Sequence, residues 1–161
     1  MEDRDRIKLM EASMERLLRT NNGADSKVST LMGMNTTMLA VLAALVTRQQ
    51  SVSAGLIVVA AVSAAGLLLG LFFLSLSSFP RTSMPARSIV FFGAIASLDA
   101  GSFHARVCGV TDMEYLDDLI DQCYRMSQIA TQKFNWIRRA QMAWYASILP
   151  WLWTVYALYH S

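Results

Sequence analysis

Residues 53–78 read SAGLIVVAAVSAAGLLLGLFFLSLSS, a run without a single charged side chain. A helix needs about 20 such residues to cross about 30 Å of hydrocarbon, at about 1.5 Å of rise per residue. This stretch has that length and more, so it reads as a membrane-spanning helix. A second candidate, VSTLMGMNTTMLAVLAALV (28–46), precedes it, and the short TRQQSV (47–52) joins the two as a helical hairpin. A third, AQMAWYASILPWLWTVYALY (140–159), lies towards the C-terminal end and is also free of charge.

Composition agrees with that reading. The chain has 161 residues, the size of one domain, of which 54% are hydrophobic and 16% charged. Soluble domains average about 45–50% and about 25%. The net charge of +2 is small and no dense Lys/Arg run occurs, which argues against a nucleic-acid partner. Cys108 and Cys123 form neither a metal pattern nor a disulfide framework and read as small buried thiols. The opening MEDRDRIKLMEASMERLLR carries both charge signs and lacks the apolar core and small-residue cleavage site of a secretory signal. The first span is therefore expected to stay as an anchor.

Charge also orients the spans, because Lys and Arg gather on the cytoplasmic side. With the N-terminus inside, 13 of the 14 basic residues and all twelve acids are cytoplasmic, and only Arg48 lies outside. The expected topology is multi-pass, with a cytoplasmic N-terminus and the C-terminus on the opposite side. The expected fold is an all-α membrane protein in four parts. Residues 1–27 form a cytoplasmic amphipathic helix, with Ile7, Met10, Met14, Leu17 and Leu18 at helical spacing. Residues 28–78 form the transmembrane hairpin, residues 79–139 a small cytoplasmic helical module, and residues 140–159 the third span. Pro80 and Pro85 end the second span. Thr111 and Glu114 make a T-x-x-E capping box. Leu116, Leu119, Ile120, Cys123, Met126, Ile129, Ala130, Phe134 and Ile137 then recur at three- and four-residue intervals, so 112–159 reads as nearly one continuous helix running from the module into the membrane.

Enzyme signatures are missing. His104 and His160 fall on opposite expected sides, no His/Cys/carboxylate set has metal spacing, and there is no phosphate-binding glycine loop. The acids Asp112, Glu114, Asp117, Asp118 and Asp121 suit the N-terminal dipole of the long helix. Gly66 and Gly70, behind a run of Ala and Ser, form a small-residue motif for close helix packing in lipid. Asn35 lies about 12 Å beyond Lys27 along the first span and calls for a hydrogen-bond partner or a polar cavity there. Arg81 and Arg87 flank the exit of the second span. Positive-inside anchoring alone accounts for them; together with Lys27, Arg106 and Lys133 they also suit an anionic ligand, because the guanidinium fork bonds two phosphate oxygens. Trp136, Trp144, Trp151, Trp153, Tyr156 and Tyr159 suit interfacial aromatic belts.

The order of these features resembles a known family. Asp25-x-Lys27 precedes a span containing Asn35, a proline-containing exit follows, then SIVFFGAIASL, then TDMEYLDDLIDQCYRMSQIATQKFNWIRRA leading into a last span. This resembles the Pycsar transmembrane effectors, bacterial antiphage proteins encoded beside a pyrimidine nucleotide cyclase, over about residues 20–160. The resemblance implies an effector, not an enzyme, that needs no cofactor. Activated by cyclic UMP or cyclic CMP, it would impair the inner membrane and cause abortive infection, with a homo-oligomer as the expected assembly. The candidate ligand contacts are Lys27, Arg81, Arg87, Gln122 and Lys133. On this reading RSIVFFGAIASL (87–98) packs at the membrane face, Phe91 and Phe92 fill its junction with the long helix, and Gly93 permits a close turn. One departure stands out: a module of about 60 residues has no recognisable cyclic-nucleotide-binding barrel, so the pocket would draw on two subunits. A constitutive small channel or holin-like toxin, and a membrane scaffold that recruits a partner through the 112–139 helix, remain the alternatives.

Overall fold

The computed structural model describes residues 3–49, 52–79 and 88–160, and these residues form helices and short connections with no strand. The order is α1 (Asp3–Arg48), α2 (Ala54–Ser78), α3 (Phe92–Ala96), α4 (Ala100–Gly109) and α5 (Asp112–His160). The amphipathic segment and the first expected span are one helix, α1, with no break at residue 27. The charge pattern changes there, but the chain holds no proline to stop it. The isolated Gly23 and Gly33 weaken a helix only modestly. The long helix likewise runs uninterrupted through Pro150.

The chain divides into two compact units. Unit 1 comprises Met1–Gly23 and Pro80–Thr131, and unit 2 comprises Ala24–Phe79 and Gln132–Ser161.

In unit 1, the start of α1 turns Ile7, Met10, Met14, Leu17 and Asn21 inward, while Leu18 is left exposed. The 3–4 alternation of those positions is a coiled-coil seam. On α5 the inward positions are Leu116, Leu119, Gln122, Cys123, Met126 and Ala130. Tyr115 Oη donates to Glu11 (3.0 Å), and the Cys123 thiol points at the Met10 carbonyl (3.6 Å), so the start of α1 lies against α5. The capping box forms at the head of α5: Thr111 N donates to Glu114 Oε2 (2.9 Å) and Glu114 N to Thr111 Oγ1 (3.3 Å). Asp99 caps α4 by accepting from Ser102 N (2.9 Å).

The FFG stretch departs from expectation. Phe92 is 70% exposed, so it does not fill a junction in this unit; its ring lies 4.7 Å from that of Phe91. Gly93 makes no special turn, since it is helical and no glycine has positive φ. It leaves room instead for the Phe91 ring, which would come within 2.6 Å of a β-carbon there.

In unit 2, α1, α2 and the last part of α5 pack together. The same 3–4 alternation continues on each: Ala24, Val28, Leu31, Asn35 and Leu42 on α1; Ala60, Ser63, Leu67, Gly70, Leu74 and Ser77 on α2; Ile137, Ala140, Ser147, Thr154 and Leu158 on α5. A core of Ala24, Val28, Leu31, Leu74, Ile137 and Ala140 lies at one end. A β-carbon on Gly66 would collide with Ser147 Oγ, and one on Gly70 would lie 3.0 Å from Asn35 Oδ1 and 3.6 Å from the Ala140 carbonyl. The two glycines thus let α2 approach its neighbours closely.

The outward surface of unit 2 is apolar. Ile57, Val58, Val62, Leu68 and Phe72 on α2 are all more than half exposed. Two helices, α1 and α2, are long and apolar enough to cross a membrane, and only 22% of the apolar window of α2 is buried. That is the reverse of a soluble core helix. The third expected span is helical but less apolar, because Trp144, Tyr145, Trp151, Trp153, Tyr156 and Tyr159 replace aliphatic residues.

Candidate functional site

Unit 1 contains a polar cleft at the α4–α5 corner. Next to it, one buried hydroxyl organises a hydrogen-bond network. Ser88 Oγ donates to Asp118 Oδ2 (3.0 Å) and accepts from Gln122 Nε2 (2.9 Å), Val90 N (3.1 Å) and Phe91 N (2.9 Å). Ile89 N adds a second bond to Asp118 Oδ2 (2.8 Å). Ser88 and Gln122 are 2% and 1% exposed. Buried polar groups are costly unless paired, so this network ties the segment before α3 to α5 in one register.

Beside it opens a cavity of about 420 Å³ lined by Ile89, Arg106, Gly109, Val110, Glu114 and Asp118. That volume is in the range of small-molecule sites, about 300–1,000 Å³. Gly109 meets nothing within 4 Å on its β-carbon side, which leaves the α4 end open to a ligand. The two carboxylates are already engaged, Asp118 by Ser88 and Ile89 and Glu114 by its capping box. The Thr111 backbone N–H and, after it, the Thr111 hydroxyl hold the Glu114 carboxyl below its ordinary value. The half-buried Arg106 has no ion pair among the described residues. Its guanidinium, beside the apolar Ile89 and Val110, shares the cleft with the carboxylates of Glu114 and Asp118, so the lining carries both charge signs and one fork able to bond an anion.

The candidate contacts named from the sequence have other surroundings. Gln122, in unit 1, gives its amide to Ser88 rather than to the cleft. In unit 2, Lys133 Nζ pairs with Asp25 Oδ1 at 2.5 Å and is largely buried, while Lys27 Nζ lies 5.7 Å from the centroid of the Phe134 ring. Arg81 and Arg87 fall outside the described residues. Asn35 donates to the Leu31 carbonyl (2.8 Å), and its buried Oδ1 has no partner among the described residues. Ser88 and Asp118 were not singled out as a pair from the sequence; a serine three residues before an unusual FFG is the one local hint.

With the geometry in hand, the family comparison is decisive. A family profile described as the Pycsar effector protein domain matches residues 9–160. The chain belongs to the Pycsar effector family. No curated protein and no solved structure matches it. The match covers both compact units, so the cleft with Arg106, the buried Ser88–Asp118–Gln122 network and the α1–α2 hairpin all lie inside the effector domain. Two helices able to span a bilayer fit a membrane-located antiphage effector.

Proposed function

We propose that this effector is the membrane-acting arm of a cyclic pyrimidine nucleotide signal. A partner cyclase makes cyclic UMP or cyclic CMP on infection. The nucleotide binds unit 1, and the effector, as a homo-oligomer, impairs the inner membrane and causes abortive infection. The observation that carries this reading is the family match over residues 9–160.

The site proposed for the nucleotide is the 420 Å³ cleft, with its single phosphate charge on Arg106. Arg81 and Arg87 precede Ser88 in the chain and are proposed as further cations for the same phosphate. Gln122 supports the site from below through Ser88. Lys27 and Lys133, engaged with Phe134 and Asp25, are proposed to hold the cytoplasmic end of the spans together. The last part of α5 is proposed as the third span. It has no charge beyond Arg139, and it exposes Leu149 (76%) and Trp153 (62%), surfaces that favour lipid over water. The N-terminus is then cytoplasmic and the C-terminus periplasmic.

Binding to purified protein in detergent tests the site. Arg106→Gln should weaken cyclic pyrimidine nucleotide binding by about tenfold or more, the scale of one charge-assisted contact. Lys133→Gln should leave it within about twofold. Wild-type affinity in Arg106→Gln would remove the cleft from the account.

A further inference from the structure

Unit 2 has one acid and five basic residues. The acid, Asp25, is taken by Lys133. Arg48 lies at the far end of α1, and Lys27 stands over Phe134. That leaves Arg138 and Arg139, both exposed and without an ion pair among the described residues.

These two arginines line a cleft of about 660 Å³ between α2 and α5, with Asn135, Leu69, Phe73, Met142 and Ala143. Its polar groups and its apolar groups are sorted along its length. Asn135 and the arginines sit just before the charge-free segment of α5, at the level where Ser77 of α2 donates to the Lys133 carbonyl (3.4 Å). Leu69 on α2 and Met142 on α5 continue into the apolar part of both helices and are 47% and 66% exposed. Trp136 braces the polar end: it stacks on Phe73 (centroids 5.9 Å) and carries the Arg139 guanidinium on its face at 4.6 Å. Cation–π contact aims that guanidinium and leaves its N–H fork free.

We infer that this cleft is a binding site for an anionic phospholipid, its phosphate held by Arg138 and Arg139 and its acyl chain laid along Leu69 and Met142. The charge sign, the paired forks and the change from polar to apolar over a few residues match such a lipid and no soluble anion. Basic pockets between spans on the cytoplasmic side take anionic headgroups by this chemistry. The inference rests on α5 entering the bilayer but not on the nucleotide. Lipid bound there would fasten α5 to α2 at the point where α5 leaves unit 1, so its presence would bear on how the spans are held.

The test is native mass spectrometry of the full chain released from nanodiscs made of phosphatidylcholine with one-fifth phosphatidylglycerol. Three variants are compared with wild type: Arg138→Gln/Arg139→Gln; Met142→Trp, which narrows the apolar part at constant charge; and Arg4→Gln/Lys8→Gln, a charge-matched control. In cells, labelling of a His160→Cys variant by a membrane-impermeant maleimide added from the outer side reads insertion of α5 separately from lipid retention. Wild type and the control should retain phosphatidylglycerol over phosphatidylcholine. The double arginine variant should lose about tenfold of that preference, and Met142→Trp should lose several-fold. Millimolar glycerol phosphate should not displace the lipid. Equal retention of the two lipids by wild type, or undiminished preference in the double arginine variant, would overturn the site. Loss in the control alike would reduce it to general surface charge, and displacement by glycerol phosphate would make it a soluble-anion site.

Discussion

At the scale of single residues, Ser88 and Gln122 decide more than the charged side chains do. Each is buried, and the amide Nε2–H of Gln122 has the Ser88 hydroxyl as its partner. Gln122→Leu should destabilise the protein by about 0.5–1.5 kcal/mol, the usual net worth of one hydrogen bond, read as a lowered midpoint of thermal unfolding in detergent. An unchanged midpoint would mean that the network does not hold the segment. This is also where the sequence was hardest to read. Gln122 enters from the sequence only as a candidate ligand contact; its partner lies 34 residues away and no local pattern announces it. Lys133 likewise pairs with Asp25, far from it along the chain, a partner that no local pattern announces. Side-chain partners set by tertiary packing leave no spacing rule behind. Residues 88–92 show the limit differently: two adjacent phenylalanines imply burial, yet the second is exposed.

At the scale of elements, local signals served best. The T-x-x-E box starts α5 as its spacing requires, because both of its hydrogen bonds lie within one turn. Its carboxylate gives a pH dependence. Glu114 is held below its ordinary 4.5 in the folded protein, first by the Thr111 backbone N–H. A depressed carboxyl stabilises the fold above the unfolded value, and that contribution is lost as pH falls through the folded value. The unfolding midpoint of Glu114→Gln should therefore lie below wild type at pH 7, with the gap closing below about pH 4.5. A gap that does not narrow as the pH is lowered below about 4.5 would contradict the assignment. The glycines make a second contrast. Gly33 in α1 meets nothing within 4 Å, whereas a β-carbon on Gly66 would strike Ser147. Gly33→Ala should stabilise by about 0.5–1 kcal/mol through helix propensity, and Gly66→Ala should destabilise by about 1–3 kcal/mol through overpacking. Unfolding in detergent distinguishes the two, and equal effects would deny close packing of α2. The small-residue motif was visible in the sequence, but Ser147 as its partner was not.

At the scale of the whole molecule, hydropathy carried the fold because it adds up along the chain and needs no knowledge of partners. The second span, charge-free over 53–78, was unmistakable. The third expected span gives a weaker signal, because tryptophan and tyrosine stand in place of aliphatic residues. The break expected between the N-terminal helix and the first span does not exist, since a change in charge pattern is not a helix stop. The family match accounts for what hydropathy cannot supply: a reason for a polar cleft and for membrane helices in one chain. The central claim is that a nucleotide gates membrane damage. Dye release from liposomes bearing the purified protein tests it most directly, with cyclic UMP, cyclic CMP and cyclic AMP added separately. The account predicts release with a cyclic pyrimidine nucleotide and none with cyclic AMP or without nucleotide. Release in the absence of any nucleotide, or no release with either pyrimidine nucleotide, would contradict it.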